Sequence, residues 1–328
     1  MMQALVYNAA KSMEFRDIPR PAPRNGDALI EVKSVGICGS DMHAYLGHDD
    51  RRPAPLVLGH EAAGVVASGT HEGRRVTVNP LVTCGRCAAC SSGRTNLCPT
   101  RQIISMPPRA GAFAQWLTMP ESNLIALPDT LSFDQGALAE PLAVCWHAVR
   151  LCAAHPFAEL TAPTVVIGGG AIGFGCVLAL RAFGATDVTL IEANPLRAAH
   201  LRTLGDTPVR APSEIADGQA ALVVDCVGYK STREAASKLV APGGTICHVG
   251  LGDSDGGLDV RRATLQEITF FGTYAYTAQD FRDTVKEMAD GRLGTLDWTE
   301  ARPLSEGPKA FADILGGAVM SPKVILHP

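Results

Sequence analysis

Four thiols crowd one short polar stretch, CGRCAACSSGRTNLC, in which Cys84, Cys87, Cys90 and Cys98 follow a C-x2-C-x2-C-x7-C spacing. Tetrahedral zinc takes four thiolates at about 2.3 Å, and close CxxC spacing lets the backbone deliver consecutive sulfurs to one ion. Gly85, Gly93 and the pair Ser91 and Ser92 supply the turns that such wrapping needs. Four thiolates fill the shell and leave no position for a substrate, so the spacing points to a structural metal. An iron–sulfur cluster also takes four cysteines, and a CxxC redox pair would use two of them and leave the others unexplained. The chemistry has to be sought elsewhere.

A second set of donors is scattered over three pieces: GICGSDMH with Cys38, Ser40, Asp41 and His43, LGHE with His60 and Glu61, and AEPLAV with Glu140. One thiolate, one imidazole and one or two carboxylates suit a zinc that keeps a vacant or water-filled position. Spacing alone does not bring them together. A third signal is VVIGGGAIGFG, which sets Gly168, Gly170 and Gly173 in G-x-G-x-x-G spacing after an apolar run, with Ala171 and Ile172 between the last two glycines. Small residues there let backbone amides approach a pyrophosphate, which a helix N-terminus then stabilises. Glu192 closes the next apolar run, VTLIEAN, where a carboxylate can bind both hydroxyls of an adenosine ribose and repel a 2′-phosphate. NAD is therefore expected over NADP, with Arg197 as the nearby cation that could accept the phosphate.

The elements that must hold these residues fall into two textures. Up to about residue 135 the chain has short β-like runs broken by Pro and Gly, as in ALIEVKSVGI and RRVTVNP. From about residue 148, five apolar runs (164–168, 187–193, 221–228, 243–251 and 268–275) and a weaker one at 208–211 are separated mostly by helix-compatible spacers. The expected class is α/β: a β-rich, irregular domain beside a doubly wound parallel sheet. After Thr277, AQDFRDTVKEMADG reads as an amphipathic helix, and KVILH as a final strand.

A hydrophobic share of 46%, a charged share of 19% and a net charge of -4 with no basic run argue against nucleic-acid or anionic-membrane partners. The uncharged stretch 162–180 could pass for a membrane span, but its three consecutive glycines read as strand, turn and helix. The opening residues lack the parts of a signal peptide, so a cytoplasmic location is expected, and there ten cysteines stay reduced.

Taken in order, GICGSDMH, GHEAAG, the four-cysteine loop, AEPLAV and GGGAIG resemble the zinc-dependent medium-chain alcohol and polyol dehydrogenases, most of all the sorbitol dehydrogenase branch. The resemblance implies a GroES-like catalytic domain of residues 1–147 and 278–328 against a Rossmann domain of 148–277. The helix after Thr277 and the final strand then return to the catalytic domain. It implies two zinc ions per chain, one structural and one catalytic. Cys38 and His60 become ligands of the catalytic zinc, Glu140 occupies the place of a third ligand, and Glu61 lies beside the metal and exchanges with water or ligand. Asp41 matches a carboxylate that orients the histidine, with a helix cap as its alternative role. Ser40 matches the hydroxyl that touches the substrate oxygen, and His43 the outer end of the proton relay. Val249, Gly250 and Leu251 fall where the family holds the nicotinamide carboxamide.

The implied reaction is oxidation of a secondary alcohol, of a polyol or sugar, to a ketone with NAD. Amino-alcohol or simple-alcohol oxidation on the same scaffold, or a nucleotide-binding sensor without catalysis, are the alternatives. Relatives form dimers or tetramers through the Rossmann domain, so a homo-oligomer is expected. One departure bears on substrate: polyol enzymes of this kind place an arginine after the Phe of the sixth strand, where FFGTYAY offers Gly272, Thr273 and Tyr274. Tyr45, Tyr274 and Trp116 are candidates for the substrate wall.

Overall fold

The strand Asp27–Gly36 alternates apolar and polar residues and then turns fully buried toward its end, as befits a strand central to a sheet. In a computed structural model, which describes residues 1–24 and 26–328, it sits in the middle of a seven-stranded sheet. The order is Leu124–Ala126, Arg75–Val78, Glu61–Ser68, Asp27–Gly36, Lys323–His327 and Thr299–Pro303, with Trp116–Pro120 also paired to Asp27–Gly36. Its core gathers Ile30, Val32, Val35, Leu58, Phe113, Met119 and Phe311. The strand Lys323–His327 pairs antiparallel with Asp27–Gly36 and parallel with Thr299–Pro303, so a late segment completes a sheet begun near residue 27.

The second unit is a six-stranded, wholly parallel sheet made from Thr164–Ile167, Val188–Ile191, Val209–Arg210, Ala220–Asp225, Val240–His248 and Thr269–Gly272. Numbered in chain order, its strands lie 3-2-1-4-5-6, the doubly wound order whose chain reversal opens a crevice beside the first strand. The weak run at 208–211 is a two-residue edge strand, short because it pairs on one side only. The apolar stretch at 162–180 divides into the strand Thr164–Ile167 and the helix Ala171–Ala182, and no helix among the described residues is long and apolar enough to cross a membrane.

The helix Ala139–Ala153 lies against both Ala171–Ala182 and Ala278–Ala289. One apolar cluster runs from Ala63, Leu81 and Leu127 through Leu142 and Phe281 to Val166 and Leu222, so the two units share a continuous core. The helices Ala139–Ala153 and Ala278–Ala289 are also tied by a buried polar knot. Asp280 accepts from Arg150 Nε at 2.6 Å and Thr277 Oγ1 at 2.6 Å, and its Oδ2 lies 2.7 Å from His147 Nδ1.

Candidate functional site

Sheet register brings the scattered donors together. Gly36 pairs with Glu61, so Cys38, two residues past one strand, arrives beside His60, one residue before the other. A thiol of Cys38, a ring nitrogen of His60 and a carboxylate oxygen of Glu61 all lie within 4.8 Å of one another. Gly36 is needed there, because a Cβ at that position would stand 2.0 Å from Glu61 Oε2. Lys323 is buried on the adjoining strand; its Nζ donates to both oxygens of Glu61 at 2.7 Å and to the Ile37 carbonyl at 2.9 Å. Burial pushes the Lys323 ammonium down, but Glu61 and Cys38 outweigh it and hold the group charged.

Asp41 combines the two roles open to it in the sequence. Fully buried on the helix Gly39–Tyr45, it accepts the Cys38 N–H at 3.0 Å as part of a capping box and the Gly59 N–H at 3.2 Å. Its Oδ1 also lies 3.6 Å from His60 Nδ1. Burial lowers the His60 pKa, yet the neighbouring Asp41 carboxylate and the Cys38 sulfur more than offset it and raise it well above the ordinary value. With Nδ1 turned to Asp41, Nε2 is the nitrogen free to bind an ion. A soft thiolate, an imidazole and a carboxylate in one buried corner fit zinc.

Glu140 stands outside this three-donor group. From the first turn of the helix Ala139–Ala153 it accepts a hydrogen bond from the buried Tyr276 hydroxyl at 2.8 Å, and burial, with Glu61 nearby, pushes its carboxyl up to about 6. Of the two carboxylates that the sequence offered, Glu61 lies within 4.8 Å of Cys38 and His60, and Glu140 lines the cleft together with both of them. Tyr276 carries no motif that could have announced it.

The four loop thiols also converge, with all sulfurs within 4.8 Å of one another, and all ten cysteines are free of disulfides. Backbone N–H groups of Arg86 and Cys87 hold the Cys84 thiol down at about 6, and the Cys84 N–H lies 3.5 Å from the Cys98 sulfur. Amides aimed at sulfur favour thiolates, as a four-thiolate metal requires. The loop also braces a cleft wall. Asn96 Nδ2 donates to the Tyr274 carbonyl at 2.7 Å, and Arg101 lies over the Tyr274 ring at 4.8 Å from its centroid.

Around the first strand of the parallel sheet runs a groove of about 520 Å³, lined by Gly168, Gly170, Ala171, Ile172, Gly173, Glu192 and Arg197. A Cβ on Gly173 would fall 1.6 Å from the Gly168 carbonyl, so the tight strand-to-helix turn admits only glycine there. The helix Ala171–Ala182 has no side-chain cap, which leaves its first amides for an anion. Glu192 accepts from the Gly169 N–H at 2.9 Å and the Asn194 N–H at 2.6 Å, while Arg197 Nη1 lies 3.7 Å from its Oε2. The glycine turn and the acid at the second strand thus line one groove. Asp225 supports it from the fourth strand by accepting from the Val227 and Gly228 amides and the Thr232 hydroxyl, each at 3.0 Å.

A second cleft, of about 310 Å³, holds Ser40, His43, His60, Glu140, Val249, Gly250, Leu251 and Tyr274 in its lining. Groove and cleft share Cys38, Gly39, Ile172, Cys226 and Val227, so the two spaces meet at Cys38. Of the aromatic candidates only Tyr274 lines the cleft. Tyr45 is buried against Phe311, and Trp116 stacks under Arg20 on the strand Trp116–Pro120.

Comparison with known proteins agrees with this layout. Residues 24–129 match the family model of the alcohol dehydrogenase GroES-like domain, and residues 171–290 that of the zinc-binding dehydrogenases. The chain is 33% identical to L-galactonate-5-dehydrogenase of Escherichia coli, over 89% of this chain and 88% of that protein. It is 32% identical to sorbitol dehydrogenase of Bacillus subtilis, over 90% and 88% respectively. A Sinorhizobium meliloti structure bound to NADP superposes with a TM-score of 0.88 at 28% identity, covering 100% of this chain and 99% of that one. By motif order, fold and sequence identity over most of its length, the chain belongs to the zinc-dependent medium-chain alcohol and polyol dehydrogenase family.

Proposed function

We propose that the protein is a zinc- and NAD-dependent dehydrogenase that oxidises a secondary hydroxyl of a polyol or sugar-derived alcohol to a ketone. The observation that carries this reading is the junction of the dinucleotide groove and the second cleft at Cys38. Relatives named for galactonate and sorbitol oxidation support the substrate range. Bound zinc supplies an electrophile for the alcohol oxygen, and bound NAD supplies the acceptor of its hydride.

In this reading Cys38, His60 and Glu61 hold the zinc. Lys323 balances the Glu61 carboxylate, and Asp41 fixes the ring of His60. Ser40 Oγ receives the hydroxyl proton as its own proton moves on to His43, which passes it to solvent. Glu140, on the cleft side and anchored by Tyr276, orders the polar end of the cleft. The glycine turn takes the pyrophosphate, Glu192 the adenosine ribose, and the backbone of Val249, Gly250 and Leu251 the carboxamide. Cys84, Cys87, Cys90 and Cys98 hold the structural zinc. The domain limits are 1–147 with 278–328, and 148–277. The chain works as a homo-oligomer in the cytoplasm, paired through the edge strand Thr269–Gly272, beside which Val260, Leu265 and Phe270 are exposed.

The test is absorbance of reduced nicotinamide with NAD or NADP against a panel of polyols, sugars and simple alcohols, together with metal analysis. Two zinc ions per chain and NAD-coupled oxidation are expected. One zinc or none, with no oxidation of any alcohol, would support the sensor instead.

A further inference from the structure

Two guanidinium groups stand in the cleft, and the reaction just described leaves them without a task. Arg51 and Arg52 sit in the loop between the helix Gly39–Tyr45 and the strand Leu56–Val57, and both line the cleft with Ser40 and His43. Neither lines the groove of the glycine turn, so they are not placed to meet the phosphates of the dinucleotide. A single carboxylate serves both. Asp49 takes Arg51 in a two-pronged pair at 2.8 and 2.9 Å and Arg52 Nη1 at 2.5 Å. By direct pairing two guanidinium groups thus share one carboxylate, with the buried Asp41 facing Arg52 without a hydrogen bond between them. Glu140, which lines the same cleft, accepts a hydrogen bond from Tyr276.

The two arginines are placed for different tasks. Arg52 is 3% exposed, its Nη2 reaches Ser40 Oγ at 3.4 Å, and its Nε–H has no acceptor among the described residues. A buried donor without a partner is a vacancy that a ligand can fill. Arg51 has a side chain 65% exposed, so it can turn its planar fork from Asp49 to a second carboxylate at little cost.

We propose that Arg51 and Arg52 bind a carboxylate of the substrate, so that the alcohol oxidised here is a polyhydroxy acid of the aldonate type rather than a neutral polyol. This rests on the dehydrogenase function proposed above. A planar fork free to turn and a buried N–H without an acceptor among the described residues match the two in-plane oxygens of a carboxylate. The cleft volume, about 310 Å³, suits a short open-chain molecule.

The experiment measures kcat/KM of the zinc-loaded enzyme with NAD for a panel of pentonates and hexonates, their matched alditols and the corresponding sugar-alcohol phosphates. A hydrogen bond to a charged group corresponds to about a 10- to 100-fold preference, so the best aldonate should exceed its alditol by that factor. Arg51→Met should collapse the ratio through KM, while Arg282→Met, an arginine on the outer helix Ala278–Ala289, should keep the wild-type ratio. The same aldonate should raise the melting temperature of the wild type and not that of Arg51→Met, a readout independent of turnover. Alditols oxidised as well as aldonates, or phosphates preferred to both, would overturn the carboxylate assignment alone. Oxidation of none of the three classes, with either dinucleotide, would overturn the dehydrogenase reading and this one with it.

Discussion

Replacing Asp41 by Asn keeps the shape of the side chain and removes its charge, which tests whether this carboxylate holds the zinc site together. Both oxygens are committed to backbone donors, Oδ2 to the Cys38 N–H at 3.0 Å and Oδ1 to the Gly59 N–H at 3.2 Å, and Oδ1 lies in electrostatic contact 3.6 Å from His60 Nδ1. Whichever way the new amide is turned, its NH2 faces a backbone N–H. One charge-assisted bond is lost in a fully buried place and one donor is stranded, together costing about 3 kcal/mol. With an unfolding entropy of about 2.1 cal/mol/K per residue over the 328 residues, that is a fall in melting temperature of about 4 °C. Freed from Asp41, the His60 ring loses its fixed orientation, and zinc affinity should drop about 10- to 100-fold. Competition with a chromophoric chelator, read beside thermal denaturation, measures both. Zinc affinity within threefold of the wild type would refute the role of Asp41 in orienting His60, whatever the melting temperature does.

Cys98→Ser should reduce the zinc content from two ions to one. Because the loop braces Tyr274 through Asn96 and Arg101, it should also raise KM for the alcohol more than for NAD; loss of both metals would contradict separate sites. Glu192→Ser should raise KM for NAD about tenfold and shift preference toward NADP, with Arg197 then free of its carboxylate; an unchanged preference would place the ribose elsewhere. Asp280→Asn should destabilise by about 2 kcal/mol in urea unfolding at pH 7, a modest figure because the Arg150 side chain is 39% exposed. Burial alone would raise the Asp280 carboxyl, but bonds from His147, Arg150 and Thr277 hold it well below the ordinary value. Its contribution is therefore complete above the unfolded value of about 3.9 and is lost as pH falls from there through the folded value. A deficit in the variant that stayed constant from pH 7 to pH 3 would refute that account.

What could be read from the sequence was whatever chemistry confines to a short stretch. Four donors that could hold one ion come at close spacing in Cys84, Cys87, Cys90 and Cys98, and one tight strand-to-helix turn carries Gly168, Gly170 and Gly173. Both therefore appear as motifs, as do the six strands with their helical spacers. Where Glu61 and Glu140 stand relative to Cys38 and His60 is of another kind. It depends on the pairing of Gly36 with Glu61 and on the pull of Tyr276, which lies 136 residues from Glu140. Lys323 is farther still, 262 residues from Glu61, and reads in the sequence as one ordinary residue at the start of a strand. Asp225 closes an apolar run as many solvated acids do, and only the amides gathered around it reveal its task. Arg51 and Arg52 belong to no pattern, since their meaning lies in which cavity the loop faces. The expectation of Tyr45 and Trp116 in the substrate wall failed for a related reason: aromatic type says nothing of which face of a helix or sheet a ring will cover.

The strand Lys323–His327 carries a consequence for biosynthesis. A nascent chain emerging from the ribosome presents Asp27–Gly36 and Glu61–Ser68 early, yet their neighbour arrives only after the whole parallel sheet has been made. Until then one margin of the sheet stays open to wrong partners, and Glu61 has no ammonium beside it. On the reading proposed above, the corner of Cys38, His60 and Glu61 would be complete only once that strand has docked, whereas the cysteine loop closes within fifteen residues of chain.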